Sequence, residues 1–419
     1  VSLVAALLLA AGGGLLFIPL AVLAAECVLA ALPRRPRNDT GGGKPRTVVL
    51  IPAHDEELVL GRTLSSLVLR IPSWARILVV ADNCTDGTAA VARKLGIQVV
   101  ERTDLARRGK GHALQFGLSQ LAADPPDVVV ALDADCILSE HAVERLARRA
   151  HVRQRPVQAD NVVEPAQSAG VRARISAFAF TVRNRVRPRG LARAGLPCQL
   201  MGTGMAIPFD QFVGGSVAGS HLVEDMVLGL VLAEQGAAPL YADDAHVVSE
   251  QPDDPKTSLG QRSRWEQGHL RTLVEHGPKL LWRGLRDRSI ATVALALDLL
   301  VPPLALLSLL TFGYGAVVLA GCVAYGLRWW AYWAVIDVGL LIGAVGLAWA
   351  LEGRSLLKPH QFLLVPLYVT WKLPMYVALA LRRGQKSWER TQRSTSAVVA
   401  DGAMEAVREP EKRLPNSKR

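Results

Sequence analysis

Val128-Val-Val-Ala-Leu132-Asp133-Ala-Asp135-Cys136 is the stretch from which the fold is read. An unbroken apolar run rich in valine predicts a strand buried on both faces, as in parallel sheets. The strand is expected over Val128 to Leu132. It would present Asp133 and Asp135 on one face, because side chains two apart along a strand share a side. Two carboxylates so placed repel each other. A hard divalent cation, Mg2+ or Mn2+, with diphosphate oxygens as further ligands, would relieve that repulsion. A turn with two solvated aspartates is the alternative.

The same grammar extends outward from residue 47 to about 288. VVLIPA is followed by a helix through Ser65, ILVVAD by a helix from Asp86 to Leu95, and IQVVER by a helix from Lys110 to Leu121. Strands alternating with helices predict an α/β domain whose mostly parallel sheet is covered on both faces. Ligands of such sheets sit at the carboxyl ends of the strands, and the polar motifs fall there.

Ile51-Pro-Ala-His-Asp-Glu-Glu57 closes the first strand. Pro52 and Glu56 are candidate contacts to a base or ribose, although Asp55 and Glu56 equally suit the first turn of a capped helix. Val80-Ala-Asp-Asn-Cys-Thr-Asp-Gly87 ends a buried strand on Asp82, well placed for a nucleoside. In Arg107-Arg-Gly-Lys-Gly-His112 the glycines permit close backbone approach, and Lys110 offers a charge for phosphate at a helix N-terminus. The spacing is not that of a Walker A loop. Val223-Glu-Asp-Met226 puts Asp225 at the start of an apolar helix, as a general base or as an ordinary helix-start acid. In Gln261-Arg-Ser-Arg-Trp265, Arg264 suits a diphosphate clamp and Trp265 offers a face to a sugar ring. An amphipathic helix with one buried Trp is the alternative.

Half of the 419 residues are hydrophobic, and the mean hydropathy of +0.23 is high for a soluble enzyme. The excess sits at the two ends. Residues 3–31 are apolar apart from Glu26, long enough to cross a bilayer. No basic n-region precedes them, which favours an anchor over a signal peptide. Arg34, Arg35 and Arg37 follow at once and put that side in the cytosol. The expected division is a membrane anchor over 1–32, a cytosolic domain over 47–288, membrane helices over 289–382 and a basic, partly disordered cytosolic tail over 383–419. Residues 290–327 as one helix would be about 57 Å long, beyond the ~30 Å bilayer core. One reading therefore gives an interfacial piece over 290–301, spans near 303–326 and 330–351, and an interfacial or re-entrant stretch over 361–381. The other makes 290–327 a hairpin and 361–381 a span, four in all.

The five cysteines form no CxxC pair, so neither a zinc site nor a disulfide framework is suggested. The net charge of +11 favours lipid and nucleotide phosphates as partners. Nucleic acid is excluded, because Arg172, Arg174, Arg183, Arg185, Arg187, Arg189 and Arg193 have no interleaved base-stacking aromatics. These arginines face lipid headgroups, an acceptor's phosphates or simply solvent.

Taken together and in this order, the motifs resemble those of family-2 glycosyltransferases with the GT-A fold, which include cellulose, hyaluronan and chitin-type synthases and many exopolysaccharide transferases. The family pattern is an acid after the second strand (Asp82), a DxD motif (Asp133, Asp135), an ED pair whose aspartate is the base (Glu224, Asp225), and QxxRW (Gln261, Arg264, Trp265). The resemblance covers roughly 47–270. Leu200-Met-Gly-Thr-Gly-Met205 lies where members place a segment lining the acceptor site, which makes Gly202 and Gly204 acceptor-side residues. Val223 stands where many members have Thr, a departure that leaves the base in place.

The resemblance implies an inverting, metal-dependent transfer from a nucleotide-sugar, most simply a UDP-sugar, with no covalent intermediate. Pro52, Glu56, Asp82, Lys110, Asp133, Gln261 and Arg264 would hold the donor and Trp265 the acceptor sugar. The acceptor would be a lipid-linked compound or a glycan at the inner leaflet of the cell membrane, with membrane lipids and other polysaccharide-assembly proteins as further partners. Few membrane helices favour single addition over a processive, secreting synthase. An inactive membrane scaffold is the alternative of another class, and the intact acidic motifs argue against it. A transporter fails on span count and on the size of the polar domain.

Overall fold

The computed structural model describes residues 3–33, 43–165, 169–215, 223–250, 255–325 and 328–380. The basic cluster at Arg34, Arg35 and Arg37 and the tail over 383–419 lie outside them, as does the side chain of Gln261.

An apolar helix, α1 (Leu3–Ala30), precedes the sheet. The first half of the sheet is built from β1 (Thr47–Ala53), α2 (Glu57–Val68), β2 (Ala75–Asp82), α3 (Thr88–Lys94), β3 (Gln98–Arg102), α4 (Lys110–Leu121) and β4 (Val128–Ala131). These four strands run parallel in the order β3-β2-β1-β4. Alternation along β1 feeds two cores: Val49 and Ile51 pack with Leu60 and Leu64 of α2, while Val48 and Leu50 pack with Leu114 and Leu118 of α4. The proline in β1 costs no ladder bond on that side, because pairing with β4 stops at Leu50, two residues before Pro52.

The second half adds β5 (Cys136–Leu138), α5 (Ala142–Arg153), β6 (Val157–Glu164), α6 (Val171–Thr181), α7 (Arg187–Arg193), β7 (Met205–Pro208), α8 (Phe209–Gly214), α9 (Glu224–Glu234) and β8 (Leu240–Glu250). β7 joins antiparallel to β4 and to β6, and β5 antiparallel to β8. β6 and β8 are parallel. The eight-stranded sheet is thus mixed but mostly parallel.

One local expectation needs correction. β4 ends at Ala131, so Leu132 and both aspartates lie beyond the strand, in a turn. The turn, not strand alternation, brings the two carboxylates together. Its reason is visible in the ladder: β4 pairs with β7 as far as Ala131 and Met205, and the next residue on the partner side, Gly204, turns away at φ +65° and gives its carbonyl to the Ala159 N–H.

The remaining helices are α10 (Pro255–Arg286), α11 (Ile290–Leu300), α12 (Leu304–Tyr325), α13 (Arg328–Ala348), α14 (Val365–Trp371) and α15 (Leu373–Ala380). Among the described residues, three stretches are long and apolar enough to cross a membrane: Leu9–Ala30, Leu304–Ala324 and Ala331–Gly353. Residues 301–303, with Pro302-Pro303, separate the short α11 from α12, since proline lacks the donor a continuing helix needs.

The arginines of the region after β6 overturn the expectation of lipid-facing or solvated side chains. α6 and α7 are joined by a π-helical turn, Val182–Val186. Arg187 is buried between Glu26 of α1 and Asp298 of α11, its nitrogens 2.6 Å from each carboxylate. Arg185 pairs with Asp160 of β6 and with Glu352 beyond α13, and Arg189 also reaches Glu352. Arg193 pairs with Asp243, and Arg172 lies over the ring of Trp371. The reason is sequence spacing: residues four apart share a helix face, so Arg185 and Arg189 meet one acid together. Gly190 lets α1 and α7 touch, because a Cβ there would lie 2.0 Å from the carbonyl oxygen of Glu26.

Removing one member of a buried ion cluster leaves its partners uncompensated, which costs about 3–5 kcal/mol. Arg187→Ala is therefore expected to lower unfolding stability by that order, measured by denaturant titration in detergent micelles. A change below about 1 kcal/mol, the surface-pair range, would contradict the role given to Glu26 and Asp298.

Candidate active site

The order β3-β2-β1-β4 puts the topological switch between β1 and β4, where a crevice opens outside the carboxyl ends of the strands. The DxD turn after β4 and the loop after β1 flank this crevice. Ligand atoms of Asp133, Asp135 and Cys136 all lie within 4.8 Å of one another. The Cys136 thiol donates to Asp135 Oδ1 at 3.5 Å, and burial holds its pKa well above the ordinary range. It is therefore a protonated neighbour, and the two half-buried carboxylates are the oxygen donors a hard divalent cation prefers. These residues fit such an ion.

Lys110, the first residue of α4, reaches into this corner. Its ammonium pairs with Asp133 and donates to the carbonyl of Gly202 at 2.6 Å. Burial alone would depress its pKa, but Asp133, Glu224 and Asp225 together push it above the usual lysine range. Glu224 and Asp225 open α9. Burial raises the pKa of both; mutual repulsion adds to Glu224, while Lys110 opposes the shift in each. The base candidate, the DxD turn and Lys110 are thus one electrostatic cluster.

Gly202 has φ +85°, and a Cβ there would lie 3.3 Å from Asp225 Oδ2. It keeps the wall beside Asp225 thin. Gly204 differs: its Cβ would strike Val247 and Ala159 at 2.4 and 2.8 Å. It closes the sheet core and does not face the corner. The turn between them is held by residues that sequence reasoning passed over. Gln158 accepts from the Met201 N–H at 2.8 Å and donates to the Thr203 carbonyl at 2.9 Å. Asn161 donates to the Met201 carbonyl at 3.2 Å, and the hydroxyl of Thr203 accepts the Asp133 N–H at 3.1 Å. A signal was present: polar residues at 158, 160 and 161 interrupt an otherwise apolar buried strand.

At the end of β2, Asp82 is 5% exposed. Its carboxylate accepts from Arg102 at 2.5 Å and from Asn83 at 3.1 Å. The loop after β1 and the loop after β2 clasp each other. Asp55 accepts the Thr85 N–H at 2.6 Å, the Glu56 N–H donates to the Thr88 hydroxyl at 2.7 Å, and Asp86 accepts the Glu57 N–H at 3.2 Å. Asp55, Cys84 and Asp86 are close enough to resemble a second metal group, but these bonds give the acids a structural job. Pro52, near the end of β1, and Glu56, just before α2, flank the same loop and are half-buried. Trp265 is half-buried on α10 and packs on Phe180 of α6, ring centroids 5.7 Å apart. Arg264 is half-buried beside it.

The sequence model of the family described as "Glycosyltransferase like family 2" matches residues 45–268. The chain belongs to this family. Among curated relatives, an uncharacterized glycosyltransferase of Mycobacterium tuberculosis is 41% identical over 93 residues, 22% of this chain and 38% of the relative. The 4,4'-diaponeurosporenoate glycosyltransferase of Staphylococcus aureus is 35% identical over 103 residues, 23% of this chain and 26% of the relative. The matched region thus spans less than two fifths of those relatives' length. A solved structure with the same fold is the mannosyltransferase PcManGT of Pyrobaculum calidifontis in complex with GDP-Man and Mn2+, with a TM-score of 0.50 and 17% identity, covering 88% of this chain and 98% of that one.

If Asp133 and Asp135 hold a divalent ion, Asp133→Ala and Asp135→Ala will each weaken Mn2+ binding in the presence of a nucleoside diphosphate. Electron paramagnetic resonance of free Mn2+ reads this directly, and a loss of about tenfold or more is expected, the equivalent of one charge-assisted contact. Unchanged Mn2+ uptake in both variants would remove the metal assignment.

Proposed function

We propose that this family-2 glycosyltransferase transfers a sugar, with inversion, from a nucleotide-sugar to an acceptor hydroxyl on a lipid-linked compound or glycan at the cytosolic face of the cell membrane. The observation that carries the reading is the convergence of the Asp133–Asp135 turn, Lys110 and Asp225 in one crevice at the carboxyl ends of the sheet. UDP-sugars are the first donors to test. The complex of PcManGT with GDP-Man makes a GDP-sugar the second.

Asp133 and Asp135 would hold Mg2+ or Mn2+, which when bound offsets the charge gathering on the leaving diphosphate. Lys110 adds a second positive charge at that place, and Arg264 is the further candidate clamp with Gln261 on the same helix. Asp225 takes the proton from the acceptor hydroxyl, which then attacks the anomeric carbon on the face opposite the diphosphate. Burial raises its proton affinity, which improves a base as long as it stays ionised; the charge of Lys110 acts against that rise. Glu56 and Asp82, with Pro52 beside them, border the nucleoside side, and Trp265 the acceptor side. Processive synthesis with secretion remains a second outcome of a product assay: a ladder of lengths marks it, one added sugar marks single transfer.

Asp225→Asn is expected to lower turnover by roughly 100- to 10,000-fold while donor affinity, read by calorimetry with Mn2+, changes little. Equal loss of affinity and rate would make Asp225 a binding residue instead.

The orientation follows from charge and from docking. Basic residues flank the catalytic region on both sides, at Arg34, Arg35, Arg37, Arg286 and Arg288. Glu352, at the far end of the third long apolar stretch, pairs with Arg185 and Arg189 of the catalytic domain. This supports a chain that crosses with α12 and returns with α13. A cysteine placed at Ser355 should then resist an impermeant maleimide added to intact cells and react after permeabilisation. Labelling from outside would refute this path.

A further inference from the structure

A cleft lies between the catalytic domain and the helices that follow it. Met201 and Met226, the neighbours of Gly202 and Asp225, form one wall. Arg183, Arg187, Gln199, His269 and Asp298 supply its polar groups. Three of these have unused capacity. His269 is 3% exposed; its Nε2 donates to the Leu299 carbonyl at 3.1 Å, and burial keeps the ring neutral. Its Nδ1 is therefore a hydrogen-bond acceptor, and it has no partner. Gln199 donates to the Leu295 carbonyl at 3.1 Å, and its Oε1 is likewise unpartnered.

Arg183 is the third. Arg185, Arg187, Arg189 and Arg193 each have an acidic partner, but Arg183 makes no hydrogen bond or ion pair with the described residues. Arg187, four residues on, shares its helix face and is neutralised by Glu26 and Asp298. The guanidinium of Arg183 is thus a fork of donors held beside the catalytic corner; Asp225 is among the acids that act on it through space. A guanidinium is expensive to keep in such a place unpaired, and its planar fork matches phosphate oxygens. The two orphaned acceptors call for hydroxyl donors on the same ligand.

We propose that Arg183 binds a phosphate carried by the acceptor, with His269 Nδ1 and Gln199 Oε1 accepting hydrogen bonds from its hydroxyls. The acceptor of this enzyme is then a phosphorylated alcohol, lipid-borne or soluble, and Arg183 determines specificity. The inference rests on Asp225 being the base at this site.

The test uses the full chain in detergent micelles and two probe pairs: a short-chain 1-acylglycerol 3-phosphate beside its 1-acylglycerol, and glycerol 3-phosphate beside glycerol. Binding is read by calorimetry. In the native protein at least one phosphate should bind about tenfold or more tightly than its alcohol. Preference confined to the acylglycerol pair assigns a lipid source, and preference in the glycerol pair a soluble one. R183Q should abolish the preference and R183K should keep part of it, since a lysine retains charge but not the fork. Binding of a nucleoside diphosphate with Mn2+, measured on the same samples, reports the donor site separately, so its loss in the native protein would count against the proposed function and not against this inference. Two results overturn the inference: no phosphate preference in the native protein, or a preference that survives R183Q.

Discussion

The ammonium of Lys110 stands among acids that could not otherwise share a buried corner. Asp133 touches it, and Glu224 and Asp225 lie close enough to hold its proton against the cost of burial. In a low dielectric, carboxylates so gathered would take up protons to escape one another, and a protonated Asp225 is no base. Lys110 therefore fixes charge as well as position. Through the Gly202 carbonyl it also ties α4 to a turn distant in sequence. That turn in turn orients the DxD segment through Thr203. The corner is one unit, in which moving any member changes the proton affinity of the others.

A second constraint acts below the first. Arg185, Arg187 and Arg189 hold acids from α1, from α11 and from the end of α13. Each acid would be costly next to lipid if unpaired. The pairing ties the helices of spanning length to the catalytic domain at defined points, and α1 packs so tightly on α7 that only glycine fits at residue 190. α10 extends the same coupling. It carries Trp265 toward Phe180, while the next residue, Glu266, pairs with the buried Lys372 and accepts from Tyr376 of α15 at 2.8 Å. The residues expected to meet the acceptor are therefore braced by the segments expected to lie at the membrane.

Much of this was legible before any coordinates. Apolar runs of strand length alternating with amphipathic stretches specify the parallel half of the sheet, and α4 falls where Lys110 and Leu121 mark its ends. The acids of the corner announce themselves because clustered carboxylates after a buried strand are costly without a cation. What could not be read is what depends on distant pairing. β7 enters antiparallel next to β4 and so ends that strand at Ala131. Arg102 answers Asp82 across neighbouring strands, and Gln158 and Asn161 act on a loop 43 and 40 positions away. Gly204 resembles Gly202 in sequence, yet only the register of β6 and β8 decides that one fills a core and the other opens a site.

The arginine-rich helix shows why composition alone misled. Arginines at alternate positions suggest a uniformly basic surface, but successive pairs point to different sides of a helix, and those four apart return to the same one. Arg185 and Arg189 fall on the face that meets Glu352, while Arg183 and Arg187 line the cleft. The π turn over Val182–Val186 adds a residue just where these faces are set. Such turns recur at functional sites because they re-aim side chains without ending the helix. Every acid on the first face is matched by an arginine, and on the second face the acids Glu26 and Asp298 are both spent on Arg187. The donors of Arg183, which no hydrogen bond or ion pair with the described residues takes up, are what that face offers to an anion from outside.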